Sequence, residues 1–413
     1  MNVLYISQYF SEEPTHASTV TTYELVTRLA KRKHSVTVVS ADSPGIRRTY
    51  RADSKTPEVA RPLPVPFFTS QWYDGITTLF THTVAHVPLT TNVLLARRNR
   101  SETKFDVIIS MYHPTHLATV SAQLLSRVLK LPLVVKIYDF IIETIEPQKL
   151  KRMYHLALGQ INTHVLKRSN SVVLVQSPEL REIVRETCSI DDERLVLFPN
   201  GVDTNVFKPE INSSGLREKL GFLNKTVVLF LGGLYRQRHP ELLVDALPKV
   251  IDKAKEVQLL FVGEGPEKPN LVSLANRLGV REQVRFLNSI GHGLVPELIS
   301  LADVTIGPLS VSPRPTIYGS TPLTVLEYMA CGKPVVVSDG AVSKSLISDE
   351  HTGVVVPPND IHGLSSAIIR LIEDKRFSNR VARNARKHVE RTCSWDVLLD
   401  KLEAVLRLSA GPN

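Results

Sequence analysis

The chain is short of the residues that staple a fold or hold a metal. Its 413 residues include three cysteines, Cys188, Cys331 and Cys393. Their scattered positions match neither a disulfide framework nor a zinc site, as expected in a reducing compartment. No Asp-x-Asp pair of the kind that holds Mg²⁺ on a diphosphate occurs, so no metal site is expected. Zinc-finger spacing and an RNA-binding aromatic signature are both missing, and the basic residues are dispersed, which argues against a nucleic-acid partner. The N-terminus opens on a strand-like run, Asn2 to Ser7, in place of a basic region followed by a long apolar stretch. Neither a signal peptide nor a membrane span is expected, and the expected location is the cytoplasm. No internal repeat or low-complexity tract stands out.

What is present describes a soluble globular protein: 43% hydrophobic and 22% charged residues. The length predicts about two to three domains. A net charge of +9 implies affinity for anions, which covers nucleotides and anionic lipid surfaces as well as a merely solvated basic surface. Strand-like apolar runs alternate with helical patterns in two series. The first includes Val3 to Ser7, Ser35 to Ser40, Asp106 to Ser110, Pro132 to Tyr138, Ser171 to Val175 and Leu195 to Phe198. The second starts at Thr226 to Gly232 and continues through Gln258 to Val262, Val284 to Ser289 and Val335 to Val337. Such alternation predicts an α/β fold with two facing Rossmann-like domains, parallel sheets and a cleft between them. The expected boundaries are 1–205, 206–392 and a C-terminal segment 393–413. Residues Ala41 to about Pro64, rich in Arg, Pro and Ser, are expected to form a loop.

The most informative stretch runs from Tyr318 to Asp339. Ser320 or Thr321 is expected to cap a helix, Pro322 suits its first turn, and Gly332 followed by Pro334 stops it. The helix start, at Thr321, Pro322 and Leu323, would aim free amides and the positive end of the dipole at an anion. Glu327 falls inside this helix, where a carboxylate can accept two hydrogen bonds from vicinal hydroxyls. Other strand ends add candidates. Gly263 and Gly265 form a tight loop that would let backbone approach a ligand, and His113 follows a strand at its carboxyl end.

The run Pro-Leu-x-x-x-Glu-Tyr-Met-Ala-Cys-Gly-Lys-Pro-Val-Val from Pro322 resembles the donor-binding motif of family 4 glycosyltransferases, retaining enzymes of the GT-B fold. Many members carry two glutamates about eight positions apart here. In this chain the second is Glu327, implied to hold the ribose, while the first position, implied to touch the transferred sugar, is Gly319. Pro199-Asn-Gly-Val-Asp203 matches the motif at the exit from the first domain. The loop Gly232-Gly-Leu-Tyr-Arg-Gln-Arg238 is similar to one whose arginine and lysine hold the donor diphosphate; Arg238 takes the lysine place, Gly233 the arginine place, and Arg236 is the candidate compensation. Val284 to Ser289 resembles the segment that cups the nucleobase, which makes Leu287 and Asn288 candidates. In the first domain, Tyr138-Asp139 stands where the family commonly ends a strand with His-Asp, and the usual Gly-Gly loop is replaced by Thr15-His16-Ala17-Ser18. His16 is a candidate substitute for that loop's contacts, against the plainer reading of a surface histidine. The resemblance implies catalytic roles for Asp139, Arg238 and Glu327, and a last helix near Trp395 that crosses back to the first domain.

The implied activity is transfer of a sugar from a nucleotide-diphosphate sugar to an acceptor hydroxyl, in glycan, polysaccharide or glycolipid assembly, with no cofactor. A nucleotide-sugar epimerase and a non-catalytic sugar-nucleotide-binding subunit are the alternatives. Pro66 to Tyr73, followed by Arg97, Arg98 and Arg100, reads either as a peripheral contact at the cytoplasmic face of a membrane or as a helix packed on the sheet. The membrane reading favours a lipid-linked acceptor.

Overall fold

The computed structural model describes residues 1–7, 10, 17–40, 47–51, 58–60, 104–113, 117–138, 140, 149–309 and 321–410. These form two compact units, Met1–Phe198 with Leu399–Asn413, and Pro199–Leu398. His16, Asp139 and Gly319 lie outside the described residues, as do Pro66 to Arg100.

The first unit holds β1 (Asn2–Ser7), β2 (Ser35–Ser40), β3 (Arg47–Tyr50), β4 (Glu58–Ala60), β5 (Val107–Tyr112), β6 (Leu133–Ile137), β7 (Val172–Val175) and β8 (Leu195–Leu197). They form one sheet in the order β4-β3-β2-β1-β5-β6-β7-β8. From β2 to β8 every pairing is parallel. Apolar strands such as Val107–Tyr112, buried at every position, suit a sheet covered on both faces.

The expectation of a loop over 41–64 is corrected by β3 and β4, which add an antiparallel pair to the edge. Arg47 and Arg48 gave this segment its loop-like composition. A polar segment at the edge of a sheet and a loop look alike in sequence. Tyr50 anchors the pair: it is buried and meets Phe10 edge-on, with ring centroids 5.7 Å apart.

Local signals place several helices. Ser177 caps the helix Pro178–Cys188 by accepting the Leu180 amide at 3.0 Å, with proline in the first turn. The final helix, Trp395–Ala410, belongs to the first unit from Leu399 onward. There Glu403 meets His34 Nε2 at 3.1 Å and Asp400 pairs with Arg32.

The second unit holds β9 (Thr226–Leu231), β10 (Val257–Val262), β11 (Val284–Leu287), β12 (Val304–Ile306), β13 (Val335–Ser338) and β14 (Val354–Val356). All neighbours are parallel, in the order β11-β10-β9-β12-β13-β14. Alternate residues of β9 feed two cores, Val228 and Phe230 into one, Val227 and Leu229 into the other. The sheet is therefore wound on both sides. Its strand order reverses between β9 and β12, and in open α/β sheets the carboxyl ends at such a reversal form the ligand-binding edge. No helix among the described residues is long and apolar enough to cross a membrane.

Candidate active site

The helix Leu323–Ala330 sits behind the reversal, buried from Val325 onward. Its cap differs from expectation. Pro322 is the N-cap, in an extended conformation with no side-chain cap bond. Thr321 is occupied elsewhere: its hydroxyl accepts the Asn200 amide at 3.2 Å, and its carbonyl accepts Asn200 Nδ2 at 2.8 Å. Two motifs far apart in sequence thus meet, and the turn Asn200-Gly201 fixes the entry to the helix. The first helical bonds run from Val325 and Leu326 to the Pro322 carbonyl. Proline has no amide hydrogen, so the open donors of this end are those of Leu323 and Thr324, which find no acceptor among the described residues.

The C-terminal half of the helix is tied down as well. Tyr328, fully buried, accepts the Leu231 amide through its hydroxyl at 2.9 Å, joining the helix to the end of β9. Arg386, from the helix Lys375–Thr392, donates to the Ala330 carbonyl and to those of Phe207 and Thr204. These restraints hold the amide-bearing end at a fixed place on the sheet edge.

Arg238 ends a short 3-10 turn, Arg236–Arg238, that follows β9. Its Nη1 lies over Gly232, 2.6 Å from where a Cβ at that position would be. Much of Arg238 is exposed, but its head packs near Tyr328 and Tyr235, and burial there lowers its pKa below the ordinary guanidinium value while the two tyrosines oppose the shift. A guanidinium remains charged at neutral pH under such a change. Arg236 is exposed. Gly233 has a steric explanation: a Cβ there would lie 2.3 Å from the Tyr235 ring, so that ring occupies the room a larger side chain would need.

Gly263 and Gly265 are both required by neighbouring backbone. A Cβ on Gly263 would fall 2.2 Å from the Gly232 carbonyl oxygen, and one on Gly265 2.2 Å from that of Leu234. The loops after β9 and β10 also exchange amide bonds, Gly232 to Val262 at 2.9 Å and Leu234 to Glu264 at 2.9 Å. Their tight fit shapes the ledge under Arg238. Leu287 accepts the Gly263 amide at 3.0 Å, and Asn288, exposed after β11, accepts from Lys268 Nζ at 3.2 Å. The structure thus gathers Arg236, Arg238, Gly263, Gly265, Leu287, Asn288 and Thr321 to Leu323 at or beside the carboxyl edge of the second sheet.

Glu327 is 3% exposed and points one oxygen, Oε1, at His292 Nε2, 2.7 Å away. Burial raises its pKa, and the His292 bond and charge oppose that rise. Sequence reasoning missed His292. The available signal was a histidine flanked by Gly291 and Gly293 just beyond β11.

Two candidates belong to the first unit. His113 follows β5, and its carbonyl accepts from Asn162 Nδ2 at 3.3 Å. Tyr138 follows β6, with its ring 4.3 Å from Lys136 Nζ. Lys136 itself was not anticipated. It is fully buried, its amine finds no hydrogen-bond partner among the described residues, and a second ring, Phe198, lies 4.6 Å away.

What the second unit can do chemically follows from these parts. A cation and two open amides face the same edge, where an anion of phosphate type would find both charge and donors. A buried carboxylate sits a turn further along the helix, ready to accept hydroxyls. Comparison with known proteins agrees. A family model described as "Glycosyl transferases group 1" matches residues 213–388, and one described as "Glycosyltransferase Family 4" matches 18–206. An alpha-D-kanosaminyltransferase of Streptomyces kanamyceticus is 26% identical over 69% of this chain and 72% of its own. A GDP-mannose-dependent monoacylated alpha-(1-6)-phosphatidylinositol monomannoside mannosyltransferase of Corynebacterium glutamicum is 29% identical, over 51% of this chain and 55% of that relative. Among solved structures, Anabaena HepE in complex with UDP shares the fold at a TM-score of 0.71, with 20% identity, 98% of this chain and 99% of that one covered. Sucrose-phosphate synthase of Thermosynechococcus elongatus aligns at a TM-score of 0.73, with 19% identity and 98% of each chain. With one half of the GT-B fold matched by each family model, the chain belongs to the family 4 glycosyltransferases.

Proposed function

We propose that this glycosyltransferase moves a sugar from a nucleotide-diphosphate sugar to an acceptor hydroxyl with retention at the anomeric carbon and without a metal. The observation that carries the reading is that Arg238 and the open amides of Leu323 and Thr324 both lie at the sheet edge where the strand order reverses. As the bond to the sugar breaks, negative charge collects on the departing diphosphate. Donors and cations already in place stabilise that charge, typically by a few kcal/mol each. Glu327 holds the ribose hydroxyls. The sugar develops oxocarbenium character, and the acceptor hydroxyl attacks from the face the diphosphate leaves. Asp139, His113 and Tyr138 are assigned to the acceptor side by their place in the first domain.

Metal independence is supported by the supply of positive charge from the protein itself, through Arg238 beside the helix start. Turnover that a chelator abolishes and Mg²⁺ or Mn²⁺ restores would refute it. Relatives named for phosphatidylinositol mannoside and diphosphoundecaprenol acceptors support a lipid-linked glycan as the acceptor, which this enzyme would meet at the cytoplasmic face of a membrane. The direct test is a screen of nucleotide sugars for thermal stabilisation, followed by assay of nucleotide release. A ligand at a hundred times its dissociation constant stabilises by about 2.7 kcal/mol. Release that depends on added acceptor supports transfer; release or sugar conversion without one favours an epimerase.

A further inference from the structure

His292 comes from the loop after β11 and stands between two partners. On one side its Nε2 meets Glu327 Oε1 at 2.7 Å; on the other its ring packs on Phe207, centroids 5.5 Å apart. The Glu327 side chain is 3% exposed and that of His292 is 35% exposed. A carboxylate so deeply placed has lost most of its hydration, and burial favours its neutral form.

Few groups act against that preference. On the same helix, burial holds Tyr328 protonated and pushes the Cys331 thiol up to about 12, so both are neutral. From the packed helix Lys375–Thr392, Arg386 is committed to the Ala330 carbonyl and to Glu390 at 2.6 Å. The helix Val295–Ser300 turns Leu298 and Ile299 inward, and β13 presents Val335 and Val337. His292 is the group that opposes the rise in Glu327's pKa. An ionised carboxylate offers only lone pairs, so Nε2 must carry the hydrogen in this contact.

We infer that His292 is a positioning residue for the nucleotide: its hydrogen bond keeps Glu327 ionised and fixes the carboxylate so that the remaining lone pairs meet the ribose hydroxyls. This rests on the reading of Glu327 as the ribose acceptor. Phe207 keeps the imidazole from turning away. A protonated or rotated Glu327 would offer fewer acceptors, and nucleotide affinity would fall before any chemistry began.

Calorimetric titration of the full chain with UDP, GDP, ADP and dTDP tests this, run from about pH 5 to pH 8 on wild type, His292→Phe, His292→Gln and Glu327→Gln. For the nucleotide that binds, His292→Phe should weaken affinity about tenfold near neutrality, a loss of one charged hydrogen bond. The deficit should grow as pH falls, because Glu327 then protonates at a higher pH than in wild type. His292→Gln, which keeps an N–H donor, should recover affinity to within about threefold of wild type. A purely structural histidine would give neither the pH dependence nor the rescue. Wild-type affinity and pH profile in His292→Phe, with Glu327→Gln impaired, would overturn the positioning role and leave the site intact. Unchanged affinity in Glu327→Gln, or no binding of any of the four nucleotides by wild type, would overturn the underlying site reading as well. Should His292→Phe not fold, His292→Ala removes the same donor without the bulk.

Discussion

Each compact unit buries a charge-bearing side chain beside its sheet, Lys136 in the first and Glu327 in the second, and the two are treated in opposite ways. In the second unit Glu327 has a hydrogen-bonding partner 2.7 Å away. In the first, Lys136 has only two aromatic faces and no acceptor among the described residues. A partner that donates to a buried carboxylate favours its ionised form, the form that can accept from a ligand. One held by ring faces is divided between charged and neutral forms, since cation–π contact contributes about 0.5–2 kcal/mol while burial costs several. The comparison teaches where charge is kept for use: at the second sheet's carboxyl edge, and not inside the first sheet.

The largest effect expected from breaking that pattern is at Arg238. Arg238→Ala should lower kcat about 10²- to 10³-fold through lost stabilisation of the departing diphosphate, with thermal stability nearly unchanged because the residue is exposed. Steady-state kinetics beside a melting curve would check both halves. Next comes the ledge beneath it. Gly263→Ala must displace the Gly232 carbonyl and occupy φ +136°, so a loss of about 2–4 kcal/mol is expected in denaturant unfolding, together with weaker nucleotide binding. Glu327→Gln removes charge-assisted acceptance at the ribose, worth about 1.5–2 kcal/mol, and should raise the donor KM about 10- to 30-fold with a smaller change in kcat.

Lys136 should matter least for activity, and for stability it gives the clearest sign. Burial depresses its pKa from 10.5 to about 7. Between those values the unfolded chain binds the extra proton, so wild-type stability should rise with pH across that window, by up to about 1.4 kcal/mol per unit, less what the two rings return to the charged form. Lys136→Met should therefore be more stable than wild type at pH 7, and the gap should narrow as pH approaches 10. Chemical denaturation at several pH values would show a constant gap if the amine were charged throughout.

The same contrast explains what could be read in advance. The apolar runs of β1, β2, β9 and β10 stand out because strands buried on both faces need them, so the two α/β series were legible. The charged edge pair β3 and β4 was not, since it shares its composition with loops. The helix Lys375–Thr392 went unassigned for a related reason: Phe377, Val381, Ala385 and Val389 form its buried stripe, but they are diluted among lysines and arginines. At the site, Glu327 and Arg238 stood in motifs whose chemistry constrains them. His292 reaches Glu327 from 35 positions away, and nothing local requires a histidine there. Thr321 failed as the expected cap because its hydroxyl is engaged by Asn200, a tertiary demand that local propensity does not encode. Lys136 is a lone lysine in an apolar strand, and its two rings lie two and 62 positions away in the chain.

The central claim is that Arg238 and the helix start receive a diphosphate. It is tested most directly by the ratio of affinities for a nucleoside diphosphate and the matching monophosphate, measured in wild type, Arg238→Ala and Glu327→Gln. Wild type should favour the diphosphate by about tenfold or more. Arg238→Ala should lose most of that preference, whereas Glu327→Gln should weaken both ligands equally and keep it. A preference for the diphosphate that survives intact in Arg238→Ala would contradict the account.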